Sequence, residues 1–415
     1  MPSNETCRVS QSVAAVMHAT RTAPARLRAP ATAEGYRRTP RARVNRLTRA
    51  SAAPFYTPAT DYVAQKKMLE VGVRTPPLGL GLAALGRPGY INIGHDADIK
   101  GKSVDEMRAH AHETLDAAWA MGVRYFDCAR SYGASEEFLS SWLQSRNIPN
   151  DKCVVGSKWG YTYTADWRVD TDGEAHEVKE HTAENLARQY PQSADLLDPY
   201  LRLYQIHSAT AQSGVLRNKD VVAELSELKA RRGVKIGLTL SGVEQADTLR
   251  EAMTVTAPDG SKLFDCVQAT WNVMEQSAGP ALVEAKDAGM EVIVKEALAN
   301  GRLSSRNPDD TVLPVMEALR ALASDFGSAP GRFDSFVYKA DSAAIAIAMM
   351  QGFQPMVLSG AATPHQVRSN AGALTLLKYL TNAGDAAEGR VREILEMARR
   401  DPESYWAERA ALEWN

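Results

Sequence analysis

Four side chains of this sequence make up a proton-transfer set: Asp127, Tyr132, Lys158 and His207. They lie in R-Y-F-D-C-A-R-S-Y-G, V-V-G-S-K-W-G-Y and R-L-Y-Q-I-H-S, where Asp127, Lys158 and His207 each close an apolar run. A free phenol titrates near ~10, too high for efficient proton exchange around neutral pH. A close ammonium stabilises the phenolate, and a carboxylate keeps that ammonium charged and oriented. A neutral imidazole can hydrogen-bond a carbonyl oxygen and stabilise the negative charge growing on it. The set therefore suits protonation of an oxygen as hydride reaches the attached carbon. Singly, each residue has an ordinary use. Asp127 could cap a helix, Lys158 could be a solvated rim lysine, Tyr132 could be a packing residue, and His207 could be a satisfied buried histidine. Only a shared location separates the two readings, so the elements that would bring the four together decide the matter.

From Leu78 onward, short apolar or β-branched runs alternate with longer amphipathic stretches. The runs cover 78–85, 123–127, 153–158, 201–207, 235–240, 265–271, 292–295 and 356–359, and their starts lie 27 to 64 residues apart. That spacing leaves room for a crossover helix between parallel strands. In Asp105 to Met121, the residues Met107, Ala111, Leu115 and Trp119 recur every fourth position, marking one apolar stripe. Asn218 to Arg232 aligns Val221, Leu225 and Leu228, and Gly233 follows as a stop. Eight such units in series predict an α/β fold, a (β/α)8 TIM barrel of roughly 250 residues plus insertions. A doubly wound open sheet is the competitor, but Gly79, Gly81 and Gly86 lack the G-x-G-x-x-G spacing expected there. Residues 66–75 predict a short hairpin before the first strand, 86–103 a long first loop, and 308–332 a partly helical excursion after the seventh strand. Residues 385–414 predict one or two C-terminal helices interrupted at Pro402. In such a barrel chemistry gathers at the C-terminal strand ends, where Asp127, Lys158 and His207 fall.

With D-C-A-R-S-Y-G, K-W-G and Q-I-H in this order, the chain from about Leu78 to about Ala373 resembles the aldo-keto reductases. V-Q-A-T-W-N, L-A-N-G-R-L and L-S-G-A-A-T-P-H-Q-V-R-S-N resemble that family's later cofactor-binding segments. The resemblance implies Tyr132 as general acid/base, Lys158 as the partner that lowers its pKa, Asp127 as the partner of Lys158, and His207 as the group that orients the carbonyl. It implies cofactor contacts from Thr239, Gln268, Lys295, Ser359, Gly360, Gln366 and Asn370, with NADPH as cofactor (NADH being the alternative) and no metal. The chain also departs from the family pattern. Thr239 and Leu240 stand in place of a Ser-Asn pair, Lys295 where many members carry an aromatic, and Ser369 where Asn370 usually has an acidic neighbour. Lys295 and Glu296 either pair with each other or present Lys295 to a phosphate or a substrate anion. After Lys158 the sequence is rich in aromatics, and Trp159, Tyr161 and Trp271 are expected to shape a pocket for an apolar or planar carbonyl, a loop folded on its own aromatics being the other reading.

Composition narrows the remaining classes. The 415 residues carry 48 basic and 50 acidic side chains, a net charge of −2, which gives no global drive toward nucleic acid. No apolar run approaches the ~20 residues of a membrane span. Cys7, Cys128, Cys153 and Cys266 have neither C-x-x-C nor metal-ligand spacing. Near neutrality is an average of two unlike parts, because residues 1–53 hold ten arginines against Glu5 and Glu34 and no lysine. That segment is net +8 and the other 362 residues are net −10. An arginine-rich, acid-poor start reads as an organelle transit peptide, for the chloroplast or alternatively the mitochondrion; a basic arm that binds an anionic partner is the other reading. Residues 54–415 are then one barrel domain, expected to be monomeric and to act on a small-molecule carbonyl. The rival function is a nucleotide-sensing binding protein that keeps the fold but turns over negligibly.

Overall fold

In the computed structural model, which describes residues 65–327 and 339–415, eight parallel strands close into a barrel in the order of the chain. They are β1 (Leu78–Gly81), β2 (Tyr125–Asp127), β3 (Val154–Trp159), β4 (Leu201–Ala209), β5 (Lys235–Leu240), β6 (Cys266–Thr270), β7 (Glu291–Lys295) and β8 (Met356–Ser359). Closure is completed by β8 on β1, with Ser359 opposite Leu80. The open-sheet alternative is thereby excluded. Strand β4 runs past the predicted end at His207, where Ser208 takes a φ of 54° and the register to β5 breaks between Ile206 and Ala209. The leader 1–53, with Cys7, lies outside the described residues, as do residues 328–332 of the predicted excursion.

The helices start where side chains satisfy their free N–H groups. Helix α1 (Val104–Ala120) opens on a reciprocal Ser103–Glu106 box, α3 (Ala183–Leu197) on Thr182, and α4 (Lys219–Arg232) on Asn218. Gly233 ends α4 at a φ of 66°, a conformation open to glycine at no steric cost. Between these lie α2 (Ser135–Ser145), then α5 (Gln245–Thr254), α6 (Gly279–Asp287), α7 (Leu313–Gly327), α8 (Ala340–Met349) and α9 (Pro364–Ala383). Two further helices, α10 (Asp385–Ala398) and α11 (Pro402–Ala410), meet at Pro402, which sits in the first turn of α11 rather than breaking one helix.

The barrel interior is built in steps of two residues, since alternate side chains along a strand face the same way. Tyr125, Val154, Leu203, Cys266, Ile293 and Met356 pack together near the N-terminal end. The predicted hairpin, Lys66–Lys67 paired with Arg74–Thr75, closes that end by inserting Met68, Leu69 and Val73 among them. Tyr125 fits because its neighbours are glycines: a Cβ on Gly156 would lie 2.5 Å from its hydroxyl oxygen, and one on Gly79 2.7 Å from its ring. Two residues further along the same strands the character changes to Asp127, Gln205 and Gln268, and Lys158 follows two residues beyond Gly156.

Candidate active site

Asp127 and Lys158 form a fully buried ion pair, so neither a helix cap nor a solvated rim lysine describes them. The other Asp127 oxygen accepts from Tyr125 Oη at 3.0 Å, Gln268 Nε2 at 3.1 Å and Gln205 Nε2 at 3.3 Å. Lys158 Nζ also donates to the Cys128 carbonyl at 2.9 Å and stands 4.6 Å from the centre of the Tyr132 ring. A buried charge pair is tolerable only when its remaining hydrogen-bonding capacity is met, and here the strands supply the partners. Tyr132 lies on the turn after β2, its Oη 3.4 Å from His207 Nε2. Ser131 Oγ is 3.4 Å from His207 Nδ1, and the Tyr161 ring meets the imidazole edge-on at 5.0 Å. The four expected residues therefore do converge.

The electrostatics separate their roles. Burial, then the charges of Lys158, Arg87 and Lys295, push His207 well below its usual pKa, so the imidazole stays neutral and can donate to a carbonyl oxygen. Burial and the Asp127 carboxylate push Tyr132 well above the ordinary phenol value, with the Arg87 guanidinium pulling the other way. The phenol is thus held protonated. A protonated phenol beside a neutral imidazole, above a buried ammonium, can grip one oxygen atom and give it a proton.

Asp127, Tyr132 and His207 open into a cavity of about 880 Å³ at the C-terminal end of the strands, with Lys158 buried behind them. Thr239, Gln268, Lys295, Ser359, Gly360, Gln366 and Asn370 all line it. Several are already engaged: Asn370 Nδ2 donates to Ser359 Oγ at 2.8 Å, and Gln366 Nε2 to Asp98 Oδ2 at 2.9 Å. Thr239 Oγ1 accepts from Ser208 N at 2.7 Å. Tyr161 lines the cavity, whereas Trp159 and Trp271 do not. Both indoles are buried among apolar side chains, Trp159 edge-on to His181 at 5.8 Å and Trp271 edge-on to Phe353 at 5.9 Å. The physical reason is alternation: Lys158 points inward, so Trp159, the next residue, points out. Lys295 pairs with Glu296 only at 3.7 Å, while Nζ donates to Thr270 Oγ1 at 2.8 Å. Burial lowers the pKa of Lys295 to about 8. Glu296 is taken instead by Arg409 of α11, at 2.5 to 3.0 Å through two guanidinium nitrogens.

Arg409, Arg87, Glu177 and Trp414 face the cavity without having been singled out in the sequence. They reach it from the first loop, the loop after β3 and the C-terminal segment, and no local spacing marks them. Among the described residues no group of three or more His, Cys, Asp or Glu could hold a metal ion. Nor is any helix among them long and apolar enough to cross a membrane.

Comparison with known proteins agrees with this architecture. A curated relative, aldo-keto reductase str7 of Strobilurus tenacellus, is 23% identical over 360 residues, covering 81% of this chain and 93% of its own length. An NADH-specific methylglyoxal reductase of Escherichia coli strain K12 is 22% identical over 317 residues, covering 69% of this chain and 88% of its own. The crystal structure of an aldo/keto reductase from Klebsiella pneumoniae in complex with NADP and acetate superposes with a TM-score of 0.53 at 17% identity, covering 82% of this chain and 97% of that one. The model of the aldo/keto reductase family matches residues 77–383, essentially the whole barrel. This chain belongs to the aldo/keto reductase family.

Proposed function

We propose that this protein reduces an aldehyde or ketone to an alcohol with a nicotinamide cofactor, Tyr132 being the proton donor. The observation that carries the reading is the meeting of Tyr132 Oη and neutral His207 at one point of the cavity, above the buried Lys158–Asp127 pair. The cavity suits a dinucleotide on this chain's own features. It extends from Tyr132 to Asn370, a Cβ on Gly360 would meet nothing within 4 Å, and Asn300 Oδ1 is buried in the wall without a partner among the described residues. Thr239, Gln268, Lys295, Ser359, Gly360, Gln366 and Asn370 would hold the cofactor, with NADPH favoured and NADH the alternative. A bound reduced nicotinamide supplies hydride to the carbonyl carbon. The chain does the rest: Tyr132 and His207 hold the carbonyl oxygen, and as the C=O π pair moves onto oxygen the phenolic O–H bond breaks and a new O–H bond forms. Lys158, fixed by Asp127, stabilises the phenolate left behind. Tyr161 borders the carbonyl site. The leader 1–53 is read as an organelle address, for the chloroplast or alternatively the mitochondrion, which import of a tagged full-length chain would test.

The test is a screen of the protein with NADPH and NADH against a broad carbonyl panel, following the loss of reduced-nicotinamide absorbance. Turnover of at least one carbonyl is expected. Cofactor binding with no turnover anywhere in the panel would replace this reading with that of a nucleotide-sensing protein.

A further inference from the structure

The first βα loop is built against the Tyr132 turn more closely than a passing loop would be. Gly86 O accepts from Ala134 N at 2.7 Å, and a Cβ on Gly86 would come within 2.1 Å of Tyr132 O. Gly133 answers from the other side: it has a φ of 58°, and a Cβ there would lie 2.3 Å from Gly86 O. Only glycine fits at both positions, so the two backbones touch. The next residue is Arg87, only 3% exposed. Its Nη1 donates at 3.0 Å to the carbonyl of Ser131, the residue before Tyr132, and at 3.0 Å to Glu177 Oε2 on the loop after β3. Its guanidinium carbon lies 5.3 Å from the Tyr132 ring centre and 4.5 Å from that of Trp414. Among the described residues Nε has no partner. A fully buried arginine is rare unless it is paired, and this one spends its hydrogen bonds on the backbone beside the phenol and on one carboxylate.

We propose that Arg87, acting with Glu177, is a positioning residue for proton transfer at Tyr132: it clamps the Ser131–Tyr132 turn and holds a positive charge beside the phenol ring. The proposal rests on Tyr132 being the proton donor. Arg87 touches neither substrate nor cofactor in this scheme and acts through Tyr132. The phenol is faced by Asp127 from β2, Lys158 from β3, His207 from β4 and Glu296 beyond β7, as well as by Arg87 and Glu177. Of these, Asp127, Glu177 and Glu296 raise its pKa, and Arg87 lowers it. Removing the guanidinium charge therefore favours the phenol over the phenolate, and removing the Glu177 charge does the opposite.

The opposite signs supply the experiment. Oxidation of 4-nitrobenzyl alcohol by NADP⁺ requires the phenolate, so its rate climbs with pH through the Tyr132 titration. Arg87→Met should shift that rising limb to higher pH by about one unit, and Glu177→Gln should shift it to lower pH. Arg87→Lys, which keeps the charge but not the fork, should restore most of the limb position at reduced kcat. NADPH affinity, read from quenching of tryptophan emission, should change less than about twofold in all three, and thermal melts identify any variant that fails to fold. Glu177→Gln, at a partly exposed carboxylate, keeps the test alive if Arg87→Met does not fold. Tyr132→Phe is run alongside. If it is inactive while Glu177→Gln, and Arg87→Met where it folds, keep the wild-type limb, the role of Arg87 is overturned and the donor assignment stands. If Tyr132→Phe turns over like the parent, both fall.

Discussion

The two ends of the barrel interior are made from the same strands and could hardly differ more. Near the N-terminal end, Tyr125, Val154, Leu203, Cys266 and Ile293 form a dry cluster sealed by Met68 and Leu69 of the hairpin. Two residues on, the same strands present Asp127, Gly156, Gln205, Gln268 and Lys295, and two further Lys158, His207 and Thr270. The lower layer is held by area removed from water, which tolerates changes of shape but not loss of volume. The upper layer is held by matched polar groups, in which each member's cost is met by its neighbours. Tyr125 joins the two: its ring lies in the lower cluster and its hydroxyl donates to Asp127. The lower half thus serves as the rigid floor on which the charged pair is set.

The contrast can be broken from either side. Lys158→Met leaves Asp127 buried without its counter-ion and should cost about 3–5 kcal/mol, read as a loss in denaturant midpoint together with loss of turnover. Met68→Ala at the lower end should cost about 2–4 kcal/mol yet leave kcat per folded molecule unchanged. A large drop in kcat at full folding would mean that the floor does more than support. Glu296 sharpens the picture at the rim. Burial alone would raise its pKa, but Arg409 and Lys295 outweigh burial and hold it at about 2. A carboxylate whose folded pKa lies below its unfolded value adds stability above the unfolded pKa, near ~4.3, and loses it as pH falls toward the folded one. Acid titration of the unfolding free energy should therefore show a decline between about pH 5 and pH 2 that is smaller in Glu296→Gln, by roughly 2–3 kcal/mol.

The comparison also explains what could be read from the sequence. Strand count, helix stripes and the inward Asp127, Lys158 and His207 follow from local periodicity, because a barrel repeats one short rule eight times. The doubly wound competitor was weakened by glycine spacing but excluded only by β8 pairing with β1. Trp159 is expected at the pocket because it follows Lys158, and Trp271 because it lies near the end of the sixth strand, although alternation from Lys158 already points Trp159 outward. The rim escaped for a different reason. Arg87 meets Glu177 across 90 positions of sequence, and Glu296 meets Arg409 across 113. Loop-borne charge pairs of that separation carry no period.

The most direct measurement compares Tyr132→Phe with the parent protein, NADPH affinity and carbonyl turnover being read on the same samples. The phenyl ring keeps the edge-on packing against His207 and loses the hydroxyl, and with it the transferable proton. Cofactor affinity should be unchanged, with kcat lower by about 10²–10⁴-fold. Turnover close to the parent's, at the same cofactor affinity, would contradict Tyr132 as the proton donor.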